Sequence, residues 1–346
     1  MLDAGRVRTE QILLAPPADD EIDVEVTLAA LCGSDVHTIN GDRPCAPLTA
    51  LGHEGVGRVL TSGSGRTDLH GARLEPGDRV ALSMLASCGH CDRCTGGLTM
   101  KCRHLVKYGH RSVTEAPFAS GMIATVVRMV PGAPVVKLPD TLDDRSVVSA
   151  GCAVATAAAA IRVAGIGVGA GLGAGDRVGV LGAGAVGWYV AAMARTRGCQ
   201  VTVVEPNPDR RELVARSGAM TTAEATDLAD VEPVVTIEAS GHPQAVAAAV
   251  ETAPIGGRVV CVGSVSPGST RITIDPAIVV TRWLSVLGVH NYAPEDFGAA
   301  VDWLVDHADQ IPAELVSDPY RMDQLDEAVE QMVSGRHPRV AIDPQL

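Results

Sequence analysis

Aromatic residues are nearly missing from this chain, with two Phe, four Tyr and three Trp among 346 positions. Hydrophobic residues still reach 46%, so the core has to be aliphatic, built from Val, Ala, Leu and Ile. Positive charge is short as well. Against 41 Asp and Glu stand 28 Lys and Arg, a formal charge of −13, and no basic run occurs, which argues against a nucleic-acid partner. Long apolar runs are lacking too: nothing approaches the roughly 20 uncharged residues of a membrane span. The alanine-rich stretch 150–161 is short, Arg162 closes it, and no membrane partner is expected. Residues 1–6 have no apolar stretch behind their basic residue, so no signal peptide is expected. Nine cysteines without an export signal point to a reducing compartment, the cytoplasm, where closely spaced thiols hold metal more often than they pair. The length exceeds one ordinary core and favours two domains.

The stretch 31–54 organises what is present. It contains Cys32-Gly33-Ser34-Asp35-Val36-His37, a Pro-punctuated loop, and Gly52-His53-Glu54-Gly55-Val56-Gly57. A thiol, an imidazole and carboxylates on segments that can fold back on each other are the ligand types of a zinc ion that keeps one position open.

Around it the first 150 residues read as mainly β. Residues 22–28 alternate apolar and charged side chains, and 58–60, 79–82 and 124–130 follow as short strands. Residues 146–163 are expected to form a helix, and 165–175 a glycine-rich linker. From 177 onward, apolar strands at 177–181, 201–204, 234–237, 258–262 and 284–289 alternate with helices at 186–197, 209–217 and 243–252. That order implies a parallel sheet covered on both faces. Helices at 296–308 and 323–334 and a strand at 340–342 close the chain.

Gly182-Ala183-Gly184-Ala185-Val186-Gly187 follows the first of these strands and opens a helix, the context in which a GxGxxG turn binds a dinucleotide. Gly182 would make the tight turn, Gly184 would let the pyrophosphate approach, and Gly187 would let helix and strand pack. The helix N-terminus, with Ala185 and Val186, would face the phosphates. Glu205, at the end of the next strand, is placed to bind the ribose hydroxyls and repel a 2′-phosphate, so NAD is expected over NADP; Arg210 and Arg211 beside it weaken that preference. Cys88, Cys91, Cys94 and Cys102 form C-x2-C-x2-C-x7-C, a closed tetrahedral structural zinc pattern.

These motifs, in this order, resemble a zinc-containing medium-chain dehydrogenase of the alcohol dehydrogenase family over nearly the whole length. The resemblance implies an α/β fold: a GroES-like β-rich catalytic domain over residues 1–153 and 291–346, and a doubly wound Rossmann nucleotide-binding domain over 154–290. It implies two zinc ions per chain. Cys32, His53 and Cys152 would hold the catalytic one and the four-cysteine loop the structural one. Glu54 resembles the acid behind the metal and Asp35 the carboxylate that orients His53. Ser34 and His37 resemble a proton relay, with hydride passing between the substrate carbon and the nicotinamide. Thr156 would pack against the nicotinamide; Ser240 and Gly263 would approach the cofactor from later strand ends. The implied substrate is a primary or secondary alcohol, or an aldehyde or ketone, and the implied assembly is a homodimer or homotetramer.

The run from Cys102 to His110 also resembles a subgroup associated with phosphonate metabolism, in which Lys107, His110 and Arg111 would face a small anionic alcohol; a polyol is the other expectation. Two alternatives stand beside this reading: a zinc-independent reductase of the same fold, and a nucleotide-binding protein without turnover.

Overall fold

Alternating apolar residues carry the first long strand beyond its expected end, to Ile22–Leu31, with Ile22, Val24, Val26 and Leu28 no more than 4% exposed. The computed structural model describes residues 1–3, 6–63, 65–167, 169, 171–265 and 271–346; positions 168 and 170 of the expected linker lie outside them. The chain divides into two compact units, Met1–Cys152 with Ala293–Leu346, and Ala153–Tyr292.

In the first unit, Ile22–Leu31 lies at the centre of a seven-stranded sheet. It pairs antiparallel with Glu54–Ser62, Val126–Met129 and Val340–Asp343. The register sets Ala30 opposite Glu54. Cys32 follows the end of one strand and His53 precedes the start of its neighbour, so strand pairing alone carries the two towards each other. The segment after Cys32, to which the sequence reading assigns no secondary structure, forms the helix Gly33–Ile39. Its start is fixed by Asp35, whose Oδ2 accepts from the Cys32 backbone N–H at 3.0 Å, satisfying one of the donors a helix leaves free.

The single helix expected at 146–163 is three pieces: Asp144–Val147, a π-helical turn Ala150–Val154 and Ala155–Ala164. Such wide turns occur often at functional positions, and this one contains Cys152. A Cβ on Gly151 would come within 2.0 Å of the Leu82 carbonyl oxygen; the bare backbone there lets the helical segment back onto the strand Arg79–Leu82. Taken together, Asp144–Ala164 is long and apolar enough to cross a membrane by length and composition, although Asp144, Arg145 and Arg162 leave it short of the roughly 20 uncharged residues of a span. Of its most apolar window, however, 78% is buried inside the protein, as in a core helix.

The second unit carries a six-stranded parallel sheet. Its strands lie in the order Met220–Thr222, Gln200–Val204, Arg177–Leu181, Val235–Glu238, Arg258–Cys261 and Ser285–Gly288. This is the doubly wound order 3-2-1-4-5-6, whose switch point falls between the first and fourth strands. Met220–Thr222 had no apolar signal to announce it. The other departure is at the far edge, where all four residues of Ser285–Gly288 are exposed and the expected cover on both faces is absent among the described residues.

Candidate functional site

Cys32 Sγ lies 3.1 Å from His53 Nε2, and Ser34 Oγ lies 3.0 Å from that sulfur and 3.3 Å from the same nitrogen. The other ring nitrogen, Nδ1, faces Asp35 Oδ1 at 3.3 Å. One potential ligand atom from each of Cys32, His53, Glu54 and Cys152 falls within 4.8 Å of all the others. His53 and Glu54 are essentially sealed from solvent.

The electrostatics of this cluster follow from its crowding. The Cys152 thiol donates towards Cys32, and with the charge on His53 this holds Cys32 well below the usual thiol range, while Cys152 is pushed well above it. Burial disfavours a charged His53, but the Asp35 carboxylate and the Cys32 thiolate outweigh it and keep the ring protonated well above its ordinary range. Two sulfurs and an imidazole brought this close, with protons still shared among them, form a soft donor set, and metal binding would displace those protons.

Glu54 has two partners that sequence spacing did not indicate. Arg339 Nε donates to both of its oxygens, at 2.7 and 2.9 Å, and Ser149 Oγ donates to Oε2 at 2.8 Å. His37, three residues beyond Ser34 on the same helix, is surface-exposed, with Nδ1 3.2 Å from Asp42 Oδ2.

The segment 107–110 flanks the cluster. A Cβ on Gly109 would lie 2.5 Å from the Gly52 carbonyl oxygen and 3.1 Å from His53 Cβ, and the His110 ring stacks on His53 at 5.1 Å. His110 Nε2 is buried without a hydrogen bond. Burial and neighbouring charge, His53 foremost, push His110 down to about 2. Burial followed by the nearby Arg43 pushes Lys107 down to about 8. Arg111 does not join them, because its guanidinium is engaged by Glu115 at 3.1 Å.

The four-cysteine loop converges as its spacing implies. All four sulfurs lie within 4.8 Å of one another, with Cys88–Cys102 at 3.4 Å, Cys91–Cys94 at 3.5 Å and Cys91–Cys102 at 3.9 Å. Backbone donors, first that of Arg103, draw Cys91 down to about 6. Four sulfurs and no other donor fit a closed zinc site.

In the second unit, Gly182 adopts φ +97°, and a Cβ there would meet Ser240 at 2.9 Å. Gly184 faces open space, whereas a Cβ on Gly187 would strike the Gly182 carbonyl oxygen at 1.9 Å. The helix Ala185–Thr196, with Val186 in its first turn, starts from Gly184. Glu205 is buried; its carboxylate accepts from the backbone N–H of Ala183 at 2.8 Å and of Asn207 at 3.0 Å. Arg211 is tied to the carbonyls of Glu205 and Pro206, and Arg210 sits half-buried on the next helix. Thr156 is half-buried in the first turn of Ala155–Ala164. Gly263 packs on Gly241, whose backbone nitrogen a Cβ would approach to 2.2 Å.

Residues 18–140 match the alcohol dehydrogenase GroES-like domain and residues 185–306 the zinc-binding dehydrogenase domain, together more than half of the chain. The 5-exo-hydroxycamphor dehydrogenase of Pseudomonas putida is 26% identical over 366 aligned positions, covering 100% of this chain and 98% of that one. Among solved structures, an alcohol dehydrogenase of Thermotoga maritima superposes with a TM-score of 0.89 at 25% identity, covering 97% of this chain and 95% of the other. A zinc-binding dehydrogenase of Sinorhizobium meliloti 1021 bound to NADP superposes at 0.84, also at 25% identity, with 99% and 97% covered. A GroES-like unit and a doubly wound unit joined in one chain, with these relatives along its full length, place it in the zinc-containing medium-chain dehydrogenase family, as an oxidoreductase of the alcohol dehydrogenase type.

Proposed function

We propose that this protein is a cytoplasmic, NAD-dependent alcohol dehydrogenase that holds two zinc ions per chain and acts on a small anionic alcohol or its aldehyde. The observation that carries the reading is the convergence of Cys32, His53 and Cys152 beside Glu54. In this reading the three hold the catalytic zinc, Asp35 orients His53, and Cys88, Cys91, Cys94 and Cys102 hold the structural ion. Residues 1–153 with 291–346 form the catalytic domain, and 154–290 the nucleotide-binding domain.

A zinc ion bound at the first set supplies Lewis acidity that makes a substrate hydroxyl more acidic. The chain's own groups do the rest. Ser34 Oγ, within hydrogen-bond reach of Cys32 and His53, takes the hydroxyl proton. His37, one helical turn on and open to solvent, would receive the proton by way of the coenzyme ribose and release it. With NAD bound, the coenzyme would supply a hydride acceptor for the carbinol hydrogen, so that alcohol and NAD would give carbonyl compound, NADH and a proton. Thr156, Ser240 and Gly263 border the coenzyme.

The preference for NAD rests on the buried carboxylate of Glu205, anchored beside the fingerprint turn by two backbone donors; a 2′-phosphate there would meet like charge. Arg211 is already committed to backbone carbonyls. The anionic substrate class rests on Lys107 and Arg43, whose side chains make no ion pair among the described residues, and on the unpartnered Nε2 of His110.

The test is a zinc count together with a panel of alcohols assayed with NAD and NADP, on wild type and Cys152→Ser. About two zinc ions in wild type, about one in the variant, and turnover lost with the missing ion are expected. One zinc in active wild type would favour a zinc-independent reductase, and coenzyme binding with no turnover of any alcohol would favour a nucleotide-binding protein.

A further inference from the structure

Glu238 ends the fourth strand of the parallel sheet, at the switch point, and its side chain is 0% exposed. Its Oε1 accepts three hydrogen bonds from the turn that follows: from Ser240 N at 2.7 Å, Ser240 Oγ at 2.8 Å and Gly241 N at 2.6 Å. Its Oε2 is buried with no partner among the described residues. Its backbone carbonyl accepts from Val262 at 2.8 Å and Gly263 at 3.1 Å, and the next residue, Ala239, donates to Leu181 at 2.9 Å. Glu238 and Ala239 thus tie together the ends of three neighbouring strands. The turn it grips has no slack on either side. It abuts Gly182, where any Cβ would lie 2.9 Å from Ser240, and Gly263, where a Cβ would lie 2.2 Å from Gly241 N.

A charged carboxylate buried with half of its acceptor capacity unused is costly to keep. A purely structural cap for a turn of this kind would be served by a neutral acceptor such as Asn or Ser. The location identifies what the charge acts on, since the gripped turn forms the wall beside the first glycine of the dinucleotide fingerprint. We propose that Glu238 is a positioning residue for the coenzyme: through Ser240 and Gly241 it fixes the surface next to Gly182 on which the dinucleotide rests. This rests on the coenzyme reading above and adds a residue to it. The charge makes the three hydrogen bonds short and strong, which holds the turn in place before ligand arrives and lowers the ordering cost of binding.

The experiment measures NADH affinity by ligand fluorescence on the full-length, zinc-loaded protein, for wild type, Glu238→Gln, Glu238→Ala and Ser240→Ala. Glu238→Gln retains an acceptor for the three donors and is expected to weaken NADH by about threefold, and Glu238→Ala by about tenfold or more. In Glu238→Gln the KM for alcohol at saturating NAD and the zinc content stay at wild-type values. Should Glu238→Ala not fold, Ser240→Ala, which removes one of the three bonds, is expected to weaken NADH about threefold. NADH affinity unchanged in Glu238→Gln and Ser240→Ala, or a folded Glu238→Ala that loses thermal stability but not NADH affinity, overturns the proposal. Wild type that binds neither NADH nor NADPH overturns the coenzyme reading itself.

Discussion

Arg339 and Glu54 form a buried ion pair across 285 residues of sequence, with one guanidinium nitrogen donating to both carboxylate oxygens. Glu54 is fully buried and Arg339 nearly so. Burial alone would push the Glu54 carboxyl upward, and the Arg339 charge opposes it. The pair therefore decides how much negative charge sits behind Cys32 and His53, and it ties the C-terminal strand Val340–Asp343 to the start of Glu54–Ser62.

Removing one partner of such a pair leaves the other buried and uncompensated, at a cost of about 3–5 kcal/mol. Arg339→Ala is expected to lose that much in urea unfolding, while Arg339→Ala in a Glu54→Gln background is expected to lose clearly less than the two single losses combined. Additive losses in that double-mutant cycle would mean that the two side chains are not energetically coupled.

Arg339 marks where sequence reasoning stopped. Cys32 and His53 were legible because each sits at a strand end and their motifs fix their spacing. The fingerprint was legible because a strand, three glycines and a helix follow one another without a gap. Arg339 belongs to no motif, and nothing local to residue 339 indicates that it reaches Glu54. The helix Gly33–Ile39 was hidden for another reason: glycine and β-branched Val36 and Thr38 give it little intrinsic helix preference, and it is held by Asp35 capping Cys32. Met220–Thr222 is too short and polar for any periodicity to show.

The edge strand Ser285–Gly288 leads to a second expectation. A fully exposed edge with unpaired backbone groups is a template for pairing with another chain. Beside it Trp283 is 84% exposed and Val280 75%, and Val286 and Leu287 on the strand are exposed as well. A homodimer formed by pairing two such edges would cover these residues, and two dimers could then make a tetramer. Leu287→Lys with Val286→Lys is expected to give a monomer by light scattering, with zinc content unchanged. A dimer or tetramer that survives both charges would place the interface elsewhere.

The last expectation concerns pH and substrate charge. Lys107 is held down to about 8, first by burial and then by the neighbouring Arg43. Its ammonium is therefore charged below about pH 8 and neutral above it. If Lys107 binds an anionic group on the substrate, the bound anion raises the lysine's proton affinity and binding takes up a proton once the free enzyme has lost it. Expressed per phosphonate dianion, so that the substrate's own second ionisation does not enter, the KM for a phosphonate alcohol should stay flat up to about pH 8 and then climb by up to about tenfold per pH unit, whereas the neutral analogue shows no such rise. Lys107→Met should raise the KM for the anionic alcohol at pH 7 by about tenfold or more, the scale of a hydrogen bond to a charged group, and abolish the rise above pH 8. The measurement is kcat and KM for the two alcohols from pH 6 to 10 in wild type and variant. Equal kcat/KM for the charged and neutral alcohols throughout would show that neither Lys107 nor Arg43 recognises substrate.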